Sequence, residues 1–249
     1  MPTQTNFRLN STRSNIFHFK QFSVDQSGCA MKVNTDGVLL GALLSAHEPS
    51  SVLDIGTGSG VIALMLAQRY QAAQIYAVEI DNDAAKTAQK NFQNSIFAHR
   101  FKLYQSSFEQ FSSHFPDRKY NLIVSNPPFF KNALHNPDPK KVIARHASSS
   151  LFEDLTTFVQ QHLSPSGQAH FILPNDVALE IIDSANGKGL YLQKRIDISS
   201  SPSKSPRRAI IALGFQSIQT IIESFVIYEA EKVYSEEYRK ALKDFLTIF

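Results

Sequence analysis

Residues 52–60 read Val52-Leu53-Asp54-Ile55-Gly56-Thr57-Gly58-Ser59-Gly60, and a helix-like apolar run follows over 61–70. An apolar strand that enters a glycine turn and leaves into a helix is the opening unit of a nucleotide-binding α/β sheet. Gly56, Gly58 and Gly60 let the backbone turn tightly and approach a ligand with no Cβ in the way. The spacing departs from the dinucleotide fingerprint G-x-G-x-x-G, whose third glycine falls one residue later. Asp54, at the carboxyl end of the strand, disfavours a pyrophosphate and favours a cationic or amine-bearing ligand. The helix N-terminus beyond it still receives a carboxylate. A zwitterionic, sulfonium-bearing nucleoside satisfies both ends.

The next strand, 74–81, ends in carboxylates about 20 residues past the glycine loop, the distance at which an acid reaches ribose hydroxyls. Glu79 follows apolar strand residues and takes that role, while Asp81 caps the helix expected over 83–95. Further on, an apolar strand runs into Ser125-Asn126-Pro127-Pro128-Phe129-Phe130. The Asn126 side-chain oxygen and the Pro127 carbonyl both accept hydrogen bonds, and two prolines stiffen the turn while supplying no competing N–H. Phe129 offers a stacking face. Two acceptors converging on an exocyclic amine above an aromatic plane would hold a nucleobase amine still and turn its lone pair toward an electrophile.

Strands and helices alternate over 52–55, 61–70, 75–79, 83–95, 101–104 and 122–125, which predicts a parallel sheet with its ligand crevice at the carboxyl edge. Residues 16–33 alternate as a hairpin turning at 25–28, and 36–46 read as a helix. After the clamp, 131–150 lacks apolar periodicity and reads as a mobile basic loop containing Lys140, Lys141 and Arg145. A helix over 151–163, a strand over 168–173 and a helix over 176–184 follow. Strands over 191–198 and 208–215 are expected to be antiparallel across a polar loop carrying Lys204 and Arg207, with Arg208 beginning the second of them. A strand over 225–228 and a helix over 235–248 complete the pattern.

The chain of 249 residues suffices for one large α/β domain. Its single cysteine, Cys29, excludes an intramolecular disulfide. No run is long and apolar enough to span a bilayer, and the polar start lacks a secretory core, which together predict a cytoplasmic enzyme. Eight histidines without H-E-x-x-H or clustered-cysteine spacing predict no metal. A net charge of +3 is compatible with RNA binding but does not require it.

With these residues in order, the chain resembles the class I S-adenosylmethionine-dependent methyltransferases that act on amines. Within them it is similar to the bacterial tRNA(Val) adenine-N6 methyltransferases through residues 19–22, 29–33, 35–41 and 144–146. The resemblance implies a Rossmann-like α/β domain with a mostly parallel, seven-stranded sheet, helices on both faces and an N-terminal hairpin extension. It implies S-adenosylmethionine as cofactor and tRNA as substrate, with no membrane and no obligate protein partner. Asn126, Pro127 and Phe129 are then the catalytic candidates, and Asp54, Gly56, Gly58, Gly60, Glu79, Ser107 and Asp36 the cofactor candidates. Phe130, Lys140, Lys141, Arg145, Arg207 and Arg208 are candidates for RNA contact. Ser107 stands where relatives place an aspartate near the cofactor adenine, and Thr35-Asp36 also reads as an ordinary helix N-cap pair. The expected organisation is a disordered tail over 1–15 and one methyltransferase domain over 16–249. That domain divides into an extension (16–46), a catalytic core (51–217) and a terminal strand and helix (218–249). Methylation of guanine N2 in ribosomal RNA or of a glutamine amide fits the same clamp, and a noncatalytic RNA-binding protein fits the same fold.

Overall fold

The computed structural model describes residues 15–128 and 139–249, and side chains for 15–128 and 150–249. The expected tail, but for Asn15, together with Phe129 and Phe130, lies outside the described residues.

The chain starts with a short hairpin, β1 (Ile16–His18) and β2 (Ser23–Asp25), and then α1 (Thr35–Leu43). Five βα units lead through the core: β3 (Ser51–Ile55), α2 (Val61–Arg69), β4 (Gln74–Glu79), α3 (Asn82–Gln93), β5 (Phe101–Gln105), α4 (Phe108–His114), β6 (Tyr120–Ser125), α5 (Pro139–His162), β7 (Leu163–Pro174) and α6 (Asn175–Asn186). The chain ends with β8 (Tyr191–Ser199), β9 (Arg208–Gly214), β10 (Ile221–Val226), the hairpin β11 (Tyr228–Ala230) and β12 (Val233–Tyr234), and α7 (Glu236–Leu242).

The central sheet runs β10-β8-β9-β7-β6-β3-β4-β5, and only β9 is antiparallel to its neighbours. Among the described residues it has eight strands where seven were expected, because β10 adds parallel to β8 instead of standing apart. Strand alternation sends successive side chains to opposite faces. Val52, Ile75, Leu122, Val124, Ile172 and Ile210 join one core with α1, α2 and α7. Leu53, Val78, Ile123, Phe171 and Ile211 join the other with α4, α5 and α6. Burial on both faces is what makes these strands read as nearly continuous apolar runs.

Four local expectations are corrected. The hairpin turns at 19–22, with the Phe19 N–H bonded to the Phe22 carbonyl and the two rings stacked at 4.5 Å. Residues 25–28 form a separate turn in which Asp25 accepts from the Ser27 N–H, and it packs on α3 instead of closing the hairpin. The N-cap of α1 is Asn34, whose side chain accepts from the Gly37 N–H at 2.9 Å, not the Thr35-Asp36 pair. The stretch read as a loop up to residue 150 is helical from Pro139, a residue suited to a first helical position because its ring presets φ and its missing N–H goes unneeded there. The final helix is shorter than expected and ends at Leu242.

Gly60 shows how tightly the first βα unit is packed. It has φ +84°, and a Cβ there would lie 2.5 Å from Cε1 of Phe92, a buried ring stacked on Phe101 at 4.1 Å. Gly60→Ala therefore combines left-handed strain with overpacking, and is expected to lower stability by about 3 kcal/mol in a denaturant titration. An unchanged midpoint would mean that Phe92 moves aside freely.

Candidate functional site

The three sequence motifs meet because of strand register. Ile55 pairs with Val78 on one side and Ser125 on the other, so the glycine loop, Glu79 and Asn126 leave the sheet side by side. Ser125 strengthens the alignment by donating its hydroxyl to the Ile55 carbonyl at 2.8 Å. After β5 the chain returns across the sheet to place β6 on the other side of β3, which makes the β3–β6 junction the crevice of this doubly wound sheet.

The loop folds toward β4. The Gly56 and Thr57 N–H groups both donate to the Val78 carbonyl, at 2.9 and 3.1 Å, and the Gly58 N–H donates to Glu79 Oε2 at 2.7 Å. Glu79 Oε1 accepts from the Asp81 N–H at 2.9 Å. Glu79 is 7% exposed, and its one carboxylate braces both the glycine loop and the turn that enters α3. Gly56 and Gly58 have φ of +69° and +58°, and a Cβ at either would meet nothing within 4 Å. Their missing side chains thus leave open space along the loop, unlike that of Gly60.

Asp54 is fully buried beneath the loop. The Thr57 hydroxyl donates to its Oδ2 at 2.6 Å, while Oδ1 has no partner. Burial drives its pKa up to about 7, against the opposing effects of the Thr57 hydroxyl and the Ala63 N–H, and the nearby Glu79 charge adds to the rise. At the end of the adjacent strand β6, Asn126 Oδ1 is also buried without a partner, and Pro127 is buried beside it. An acceptor withdrawn from water and left unpaired costs about 1–3 kcal/mol, so a site that supplies a donor there gains that energy back.

Other expected site residues are placed differently from one another. Ser107 caps α4, its hydroxyl accepting from the Gln110 N–H at 3.2 Å, at the end of β5. Asp36 and Arg208, expected to serve cofactor and RNA respectively, form an ion pair at 2.9 Å. Arg207 ends the loop between β8 and β9, on the carboxyl edge of the sheet. Lys140, Lys141 and Arg145 lie on the first turns of α5, with side chains outside those described, and Phe129 and Phe130 lie outside altogether.

Two contributors were not singled out in the sequence. Thr57 reads as loop filler until Asp54 is seen beneath it. Asn91, buried in α3, donates to the Ser59 carbonyl at 2.8 Å and exchanges bonds with both backbone groups of Asp25. Its only signal is an amide on the helical face that also carries Ala84, Ala88 and Phe92.

Comparison with known proteins agrees with this geometry. The methyltransferase small domain model matches residues 29–169. The chain is 45% identical to a tRNA1(Val) (adenine(37)-N6)-methyltransferase of Pedobacter heparinus, over 94% of this chain and 99% of that one. It is 35% identical to a protein of the same name from Actinobacillus pleuropneumoniae serotype 7, over 94% and 98%. Among solved structures, a predicted O-methyltransferase of Agrobacterium tumefaciens superposes with a TM-score of 0.64 at 17% identity, covering 84% of this chain and 96% of that one. The ribosomal protein L11 methylase of Lactobacillus delbrueckii superposes at 0.54 and 18%, covering 78% and 84%. These two likenesses concern the fold.

The fold and the matched domain model define a methyltransferase of the Rossmann-like class. The chain belongs to the tRNA1(Val) (adenine(37)-N6)-methyltransferase family.

The state of Asp54 gives a pH test. A carboxyl whose folded pKa is about 7 and whose ordinary value is 3.8 binds its proton more tightly when folded, so its contribution is fully present below about pH 4 and is lost as pH rises through 7. Asp54→Asn keeps an acceptor for Thr57 and removes the titration. The melting temperature of the unliganded wild type is expected to fall relative to Asp54→Asn by roughly 3 °C or more between pH 5 and 8. Parallel pH profiles for the two proteins would contradict the assigned burial cost.

Proposed function

We propose that the protein transfers a methyl group from S-adenosylmethionine to the N6 amine of adenine 37 in a valine tRNA. The observation that carries the chemistry is the buried, unpartnered Asn126 Oδ1 at the end of β6, an acceptor waiting for an amine donor. The acceptor nucleoside comes from the relatives, whose names specify that adenine. The cofactor supplies an electrophilic methyl group on a sulfonium.

The residues present fit that cofactor. Gly56 and Gly58 leave room for close approach to the loop, and Glu79 offers its remaining lone pairs to ribose hydroxyls. Ser107 still has a hydroxyl proton to donate toward the cofactor's adenine, and Asp36 borders the same carboxyl edge through its pairing with Arg208. The target adenine flips out of its stack into the crevice. Asn126 Oδ1 and the Pro127 carbonyl each accept one N6 hydrogen, and Phe129 stacks on the base. This fixes the nitrogen lone pair in line with the methyl group, so positioning supplies most of the rate. A neutral amide takes no proton, so the methylated amine sheds its extra proton to water after transfer. Phe130, Lys140, Lys141, Arg145, Arg207 and Arg208 supply RNA contacts around this opening. Residues 16–249 act as one methyltransferase domain, in the cytoplasm where tRNA is modified.

Asn126→Ala is expected to lower kcat on the order of a hundredfold while cofactor affinity stays close to wild type. Unchanged turnover would remove the clamp from the mechanism. Labelled methyl transfer to separated tRNA, ribosomal RNA and protein that lack this modification tests the acceptor. N6-methyladenosine in valine tRNA is the expected product. N2-methylguanosine in ribosomal RNA or methylglutamine in protein would overturn the choice of substrate, and binding of the cofactor without any transfer would overturn catalysis itself.

A further inference from the structure

Two grooves meet at the C-terminal hairpin. One, of about 880 Å³, lies between β12 and the outer face of α7 and is lined by Lys232, Tyr234, Arg239, Lys240 and Lys243. The other, of about 910 Å³, shares Lys232 and Tyr234 with it and extends to Lys204 in the β8–β9 loop. The four cations of the first groove are exposed and lack an acidic partner among the described residues. Glu236 stands beside them in this groove, and Glu229 and Glu231 line the other.

Helix periodicity explains the clustering in part, since 236, 239, 240 and 243 share one face of α7 while Tyr238 and Leu242 are buried on the other. Cations near a helix C-terminus also complement its dipole, but that leaves Lys232, which arrives from the hairpin. A column of rings makes the arrangement rigid. Tyr234 stacks on Tyr228 at 5.0 Å and on Tyr238 at 4.7 Å, with Phe249 edge-on at 5.5 Å. With its faces covered, Tyr234 holds the hairpin against α7 instead of offering a surface for a base.

Position ties the hairpin end of the groove to the edge that holds the clamp, while α7 runs away from that edge and its far end meets Lys20 and Gln68. β10 runs parallel to β8, and the Ile227 and Tyr228 N–H groups bond to the Ser199 and Ser200 carbonyls, so the hairpin leaves from the carboxyl edge that also holds Asn126. Four strand steps separate β6 from β10, or about 19 Å, the span of roughly half a dozen stacked nucleotides. Lys204, Arg207 and Arg208 occupy the rim between them.

We propose that this C-terminal groove binds backbone phosphates of the substrate tRNA several nucleotides away from the adenine held at Asn126, an inference that rests on the tRNA reading above. Fixed cations on a rigid surface recognise a regularly spaced polyanion, and their contribution is read in salt dependence. The test is binding of an unmodified valine tRNA transcript to the full chain as salt is varied, comparing wild type with the triple variant Arg239→Gln, Lys240→Gln, Lys243→Gln. The slope of log affinity against log salt is expected to become shallower by about 2. The KM for tRNA is expected to rise on the order of tenfold, with kcat unchanged. Lys86→Gln, at the other end of the sheet, serves as control and leaves both values as in wild type. If the triple variant melts early, Lys240→Gln alone carries the same comparison with a slope change of about 1. An unchanged slope and KM overturn the proposal, as does an unchanged tRNA slope accompanied by lost binding to phosphatidylglycerol vesicles. Wild type that methylates a different acceptor sinks the proposed function, and the binding slope still decides the groove.

Discussion

The bond from the Gly58 N–H to the Glu79 carboxylate closes a ring on which the site depends. Glu79 also receives the Asp81 N–H, and Asp81 caps α3 by accepting from the N–H groups of Asp83 and Ala84. From the far part of α3, Asn91 reaches back to the Ser59 carbonyl in the glycine loop. Loop, strand end, cap and helix therefore constrain one another. A glycine-rich loop alone loses much entropy on ordering, on the order of 1–2 kcal/mol per residue, and this ring together with the Val78 carbonyl offsets that loss before any ligand arrives. A loop ordered in advance spends less of its binding energy on ordering.

The same helix carries the constraint outward. Asn91 exchanges bonds with the Asp25 backbone, and the Thr87 hydroxyl donates to the Ser27 carbonyl, so the N-terminal extension is seated on the helix that borders the loop. On the other side, Asp36 in the first turn of α1 pairs with Arg208 at the start of β9. An exposed pair contributes little stability, but this one, with both side chains partly buried, fixes the direction of an arginine on the rim where RNA is proposed to lie. The extension is thus fastened to the carboxyl edge of the sheet.

Much of this was legible because a parallel sheet writes its architecture locally. The apolar runs of β3, β4 and β6, each ending in a turn or an acid, fixed strand direction and hence which ends share an edge. Asp54, Glu79 and Asn126 could be picked out because each stands at the carboxyl end of a strand, and the register brings those ends side by side. What escaped were features set by contacts far apart in sequence. The Phe19–Phe22 stack decides the hairpin turn because both rings find the α1–α2 core, which no local turn signal records. The eighth strand depends on β8 offering a free edge. Asp36 and Arg208 looked like servants of different ligands because 172 positions separate them. The basic groove of α7 was hidden for the reverse reason, since Arg239, Lys240 and Lys243 read as the solvated side of a short amphipathic helix until Lys232 is brought over from the hairpin.

The placement of unpaired polar atoms bears on function more than any single contact does. Among the described residues, five buried side-chain atoms lack a partner, and two of them, Asp54 Oδ1 and Asn126 Oδ1, belong to the carboxyl ends of the adjacent strands β3 and β6. Each costs stability in the unliganded protein, and Asp54 costs more as the pH rises and its charge develops under the loop. A fold that needed only to persist would fill these positions with apolar groups or give them partners, as it does for Ser125 and Asn91. Keeping both oxygens bare on adjacent strands makes the empty protein less stable than it needs to be, and makes a ligand with donors at both places the means of recovering that energy. On the function proposed above, the crevice is organised around hydrogen-bond donors that arrive from outside, the adenine amine at β6 among them.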